Sequence, residues 1–109
     1  MATYLMLGRY TAEGIRGASP ARTRKIVDLI STCGGKVDSM YALTGNRDLA
    51  FFVEFPSTED ALRASFNLAK TTGIAFESNE AVPVSQFDRL ISATGRTART
   101  PRRQVTLRA

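Results

Sequence analysis

The chain of 109 residues contains no histidine and a single cysteine, Cys33. Without histidine the commonest acid/base group and metal ligand is missing. One cysteine can build neither an internal disulfide nor a thiolate metal cage. Zinc, copper and haem sites are therefore not expected, no cofactor is implied, and the cysteine usage fits a reducing, cytoplasmic compartment. Long apolar runs are absent too. Nothing approaches the roughly 20 residues that a membrane span needs, and the N-terminus lacks the charged-then-apolar pattern of a leader, so no membrane partner is expected. Aromatic residues stop at Phe87. What is present is the composition of a folded chain, 43% hydrophobic and 23% charged. It is long enough for one domain, whose folding buries roughly two thirds of its surface.

The formal net charge of +5 is unevenly placed. From Met1 to Ala93 ten bases meet ten acids, and the whole excess lies in Arg96, Arg99, Arg102, Arg103 and Arg108. The expected division is a globular unit over 1–93 and a basic, mobile tail over 94–109. Five arginines can contact phosphates in a salt-sensitive way. With no aromatic beside them there is no platform for base stacking, however, and a solvated tail is the plainer reading. Nucleic acid ranks last among the partners.

Thr3 to Tyr10 reads as a strand, and Thr11 to Ala18, with two glycines, as a loop or short turn. Ser19-Pro20 starts a helix, as N-cap and first helical residue, and Gly34-Gly35 stops it near Cys33. Its apolar stripe is Ile26, Leu29, Ile30 and Cys33. Strands from Lys36 to Leu43 and from Asp48 to Phe55 form a hairpin around Thr44-Gly45-Asn46-Arg47. A second helix runs from about Thr58 to Thr71 with the stripe Ala61, Leu62, Ser65, Phe66 and Ala69, and Gly73 ends it. Ile74 to Ala81 is a fourth strand, and Gln86 to Ser92 a short last helix. The order predicts an α+β, ferredoxin-like βαββαβ fold. In it a four-stranded antiparallel sheet, in the order 4-1-3-2, carries both long helices on one face.

Two helices cover only one face, yet the third strand is apolar on both. Leu49, Phe51, Val53 and Phe55 form one row, expected under the helices, and Ala50, Phe52 and Glu54 form the other. A four-residue turn sets Tyr41 opposite Ala50 and Ser39 opposite Phe52. On the expected register Tyr4, Met6 and Tyr10 join Tyr41 and Phe52 on the face without helices. An apolar patch of that size is unusual on a monomer, and a second copy of the same surface is its natural cover. The expected assembly is a homodimer, or a higher homo-oligomer, packed through its sheets. The alternative is a monomer whose last helix or tail folds across the face.

Tyr4-Leu5, Thr11, Gly14-Ile15-Arg16, Ser19-Pro20, Arg22, Gly34-Gly35-Lys36-Val37, Tyr41, Gly45-x-x-Asp48, Glu54 and Pro56 stand in an order that resembles the GYD domain family. Arg47 stands where the namesake Gly-x-Tyr-Asp turn has its tyrosine. The resemblance implies a ferredoxin-like fold related to the dimeric α/β barrels. That group spans cofactor-free monooxygenases, chlorite dismutase-like haem proteins and ligand-sensing regulatory domains, so no activity follows from the fold.

Candidate chemistry rests on few residues. Asp48 is a general base or orienting carboxylate with Arg47 holding an anionic substrate, or it bonds turn amides while Arg47 is solvated. Glu54, at the end of an apolar row, is a catalytic acid or half of an ion pair with Arg9 or Lys36. Tyr4, Tyr10, Tyr41 and Phe52, with Arg47, are the candidate ligand-binding set, and dimer-core packing is the other account of the rings. Cys33 has no histidine partner and lies at a helix C-terminus, so it reads as a buried thiol. Three functions follow. The first is a small dimeric ligand-binding or sensing module. The second is a cofactor-independent monooxygenase or isomerase using Tyr41, Asp48 or Glu54. The third is a nucleic-acid-associated protein working through its arginine tail.

Overall fold

A computed structural model of the chain describes residues 1–98. Strand β1 spans Ala2–Tyr10, β2 Lys36–Ala42, β3 Leu49–Phe55 and β4 Ile74–Ala81. They form one antiparallel sheet in the order β2-β3-β1-β4, which is the expected order. The helices are α1 (Ala12–Arg16), α2 (Pro20–Thr32), α3 (Thr58–Thr72) and α4 (Val84–Ala98). Where a loop or short turn was expected after β1, one helical turn forms, because the Thr11 side chain accepts from the Gly14 N–H and caps it. The last helix is longer than expected and runs to Ala98. Residues 99–109 lie outside the described part, and with them Arg99, Arg102, Arg103 and Arg108.

The helix boundaries follow from local chemistry. Ser19 caps α2 through the Arg22 N–H, with Pro20 in its first turn, and Ser57 caps α3 through the Asp60 N–H. Helix α3 ends at Gly73, whose φ of +76° is the left-handed conformation that a side chain would strain. The Thr11 hydroxyl donates to the Gly73 carbonyl at 2.6 Å and so ties α1 to the α3–β4 junction.

The hairpin register is the expected one: Tyr41 opposes Ala50, Ser39 opposes Phe52, and the Leu43 N–H donates to the Asp48 carbonyl. The register slips between Val37 and Ser39, a bulge in the edge strand β2. The face expected for β1 is corrected. Tyr4 opposes Val53 and Met6 opposes Phe51, so Tyr4, Met6 and Tyr10 share the helix-covered face, and Leu5 and Leu7 lie with Phe52 and Tyr41 on the other. Each strand has a two-residue period, so an error of one in the pairing exchanges every side chain between faces. Gly8 belongs to the Tyr4 row and leaves room there for Phe76. A Cβ on Gly8 would stand 2.5 Å from the Phe76 ring.

Tyr4, Met6, Phe51, Val53, Phe55 and Ile74 of the sheet pack with Ile26 and Ile30 of α2 and Ala61, Ala64 and Leu68 of α3 in one core. The α2 stripe is as expected. The α3 stripe is not: Leu62 and Phe66 are exposed, and the buried positions are Ala61, Ala64, Ser65, Leu68 and Thr72. Small residues at 61, 64 and 65 let this helix lie close to β4, where the Ser65 and Ser78 hydroxyls meet at 2.5 Å. Leu62 and Phe66 point outward while Leu68 enters the core, and the Lys70 ammonium lies 5.1 Å from the Phe66 ring centroid.

Candidate functional site

A cleft of about 210 Å³ opens between the start of α2 and the end of the β2–β3 hairpin. Its apolar floor comes from Ile26 of α2, Met40 of β2, and Leu49 and Phe51 of β3. Ala18, Ser19, Arg22 and Thr23 line it from the α2 side, with Tyr10 at the end of β1 and Tyr41-Ala42 at the end of β2. The capped first turn of α2 thus sets the mouth, and the pleat of the hairpin sets the floor.

Among the described residues Arg22 is the one charged residue of its lining, and it is half-buried. Its guanidinium donates from Nη1 to the Gly14 carbonyl at 2.5 Å, and its Cζ lies 5.8 Å from the Tyr10 ring centroid. Gly17 makes space for it, since a Cβ there would lie 2.8 Å from Nη1. The Thr11–Gly14–Arg22 portion of the sequence pattern therefore acts locally, holding α1 against the neighbouring elements and fixing the guanidinium. Sequence reasoning placed Arg22 in the pattern but gave it no role. Only the fold shows that a position in the first turn of α2 stands beside Tyr10.

The candidate residues are distributed as follows. Tyr10 and Tyr41 both contribute to the cleft. Tyr4 lies in the core, where its hydroxyl shares a 2.9 Å hydrogen bond with Thr58 Oγ1 and its ring packs edge-on against Phe55. Phe52 is on the open face, in edge contact with Tyr41. Arg47 reaches Glu77 of β4 at 2.9 Å. That hydrogen bond, followed by one from Asn79, holds the Glu77 carboxyl below the usual carboxylate range. The Asp48 carboxylate accepts from the Tyr10 backbone N–H at 2.8 Å, and the Asp48 N–H donates to the Gly8 carbonyl at 2.8 Å. Asp48 therefore fastens the hairpin to the end of β1. Glu54 is half-buried on the open face, opposite Thr3 and Lys36, while Arg9 lies toward the other end of β1. Tyr41, Asp48 and Glu54 are not gathered around one cavity.

Cys33 is buried, with Asn67 Nδ2 at 3.8 Å from its sulfur. Among the described residues no three His, Cys, Asp or Glu side chains cluster in a way that could hold a metal ion, and no helix is long and apolar enough to cross a membrane.

Among the described residues no helix covers the open face of the sheet. Tyr41 is 55% and Phe52 37% exposed, Leu43 is exposed, and Leu5 and Leu7 are partly so. The α4 stripe of Val84, Phe87 and Ile91 is exposed as well, so neither surface is covered by the other.

The family model for the GYD domain matches residues 4–91. Among solved structures, the chain is similar to the Mycobacterium tuberculosis leucine response regulatory protein LrpA, with a TM-score of 0.55 and 12% sequence identity. The alignment covers 75% of this chain and 51% of that one. The chain thus spans about half the length of that regulator, and at this identity the likeness is one of fold. No curated protein matches the chain.

Proposed function

The chain belongs to the GYD domain family, and from that premise we propose that it is a small homo-oligomeric ligand-binding module of ferredoxin-like fold. A small molecule enters between α2 and the hairpin, and the open face of the sheet closes against a second copy. The observation that carries this reading is the cleft: a mostly apolar floor, Tyr10 at one end and a fixed cation, all positioned by regular elements. The uncovered row of Leu5, Leu7, Tyr41 and Phe52 supports the second copy. Burying it at about 25 cal/mol per Å² of apolar surface is favourable by several kcal/mol before association costs. The fold likeness to a protein named for its leucine response is in keeping with a sensing role.

Sedimentation velocity tests the assembly. The unsubstituted chain is expected to sediment as a dimer or larger, and Phe52→Glu, which places a charge on the uncovered row, as a monomer with unchanged far-ultraviolet circular dichroism. A monomeric unsubstituted chain at tens of micromolar would remove the second copy from the proposal. The ligand half is tested by a rise in melting temperature with added metabolites, through mass action on the folded state.

A further inference from the structure

We propose that the cleft takes a small carboxylate with an apolar body, and that Arg22 holds the carboxylate. This rests on the ligand-binding reading above and adds the ligand's chemical class to it.

The first ground is charge. Arg22 is the charged residue of the lining, and no described carboxylate lies within ion-pair distance of it. The ion pairs among the described residues are Arg47–Glu77 and Arg63–Asp60, both elsewhere. A half-buried guanidinium with only a carbonyl oxygen as acceptor has given up hydration without gaining a counter-ion. An anion in the cleft would supply that counter-ion.

The second ground is orientation. The Gly14 carbonyl and the Tyr10 ring fix the guanidinium, and Gly17 leaves the space it occupies. One N–H is committed to Gly14, while a guanidinium carries five, in a planar fork matched to a carboxylate. Little side-chain freedom remains to be lost on binding.

The third ground is size and polarity. A cavity of about 150 Å³ lined by apolar side chains accepts benzene, so the 210 Å³ cleft accommodates a body of that size and a carboxylate. Ile26, Met40, Leu49 and Phe51 supply the apolar contact. Among the described residues the lining holds no acid to receive an ammonium group, which disfavours cationic ligands. A single guanidinium suits a monoanion better than a phosphate dianion.

Benzoate and benzyl alcohol, which share a ring and differ in charge, are suitable probes for titration of the ¹⁵N-labelled full chain. Benzoate is expected to shift the amide resonances of Ser19, Thr23, Met40 and Leu49, and to bind at least about tenfold more tightly than the alcohol. Arg22→Gln should reduce benzoate to the affinity of the alcohol, and Arg22→Lys should keep part of the preference. Equal affinity for the two probes in the unsubstituted chain, or an undiminished preference in folded Arg22→Gln, overturns the carboxylate proposal and leaves the ligand cleft standing. Failure of both probes to shift those amides overturns both. Should Arg22→Gln not fold, Arg22→Lys and the unsubstituted chain decide: a benzoate preference in the latter that is unchanged by lysine overturns the role of the planar fork.

Discussion

Glu77 is an exposed side chain whose proton affinity nevertheless records its partners. The Arg47 hydrogen bond, then that from Asn79, stabilises the carboxylate and lowers its folded-state pKa. A group with a depressed folded pKa contributes stability above its unfolded value, about 4.3 for Glu, and loses it as pH falls through the folded value. Glu77→Gln is therefore expected to melt slightly below the unsubstituted chain at pH 7, and the gap is expected to close below about pH 4. Melting curves across that range check the sign. The same scale explains why Asp48 was ambiguous in the sequence. Glycine and aspartate in a turn suit hydrogen bonding to amides, and the amide it meets belongs to Tyr10, 38 positions away. Arg47 was equally open, since its partner lies on β4.

At the scale of elements, α3 separates pattern from packing. Leu68 is fully buried and Phe66 is 63% exposed. Leu68→Ala is expected to cost about 2–5 kcal/mol. Phe66→Gln should cost no more than about 1 kcal/mol, through the Lys70 contact and a surface change. Urea unfolding at one fixed concentration tests the contrast, and the stripe read from the sequence predicts the opposite for Phe66. Most element boundaries were legible because they are written in local chemistry: Ser19-Pro20, Ser57, Gly34, Gly73 and the four-residue turn. The stripe of α3 was not, because hydrophobic periodicity weights Phe66 above Ala64, whereas close approach of a helix to β4 favours the small residue. The face of β1 was lost for a related reason. Its two rows are almost equally apolar, so only the pairing of Met6 with Phe51 decides which faces the helices. The apolar floor of the cleft could be read as core, but its joining to Arg22 and Tyr10 depends on how α2 lies across the hairpin, which no local signal reports.

For the whole molecule, charge and apolar surface tell different stories. Residues 1–93 carry no net charge, and the positive excess is confined to the chain after Ala93. Long-range repulsion therefore does little to oppose two sheets meeting. If the open face and the exposed stripe of α4 are buried by self-association, folding and assembly are linked. The melting temperature of the unsubstituted chain should then rise with protein concentration, by a few degrees per tenfold change. Differential scanning calorimetry over two decades of concentration measures this, and a flat profile would separate folding from assembly.

The irregularity between Val37 and Ser39 bears on how such an assembly ends. An outer strand with evenly spaced free amides and carbonyls is a template on which further chains can add without limit. Here the spacing is interrupted near the start of β2, so a newcomer cannot form a continuous ladder along that margin. Growth by rim-to-rim addition is discouraged there, whereas contact between broad surfaces is untouched. The interruption acts on the β2 margin alone, since β4, the opposite margin, keeps a regular register with β1.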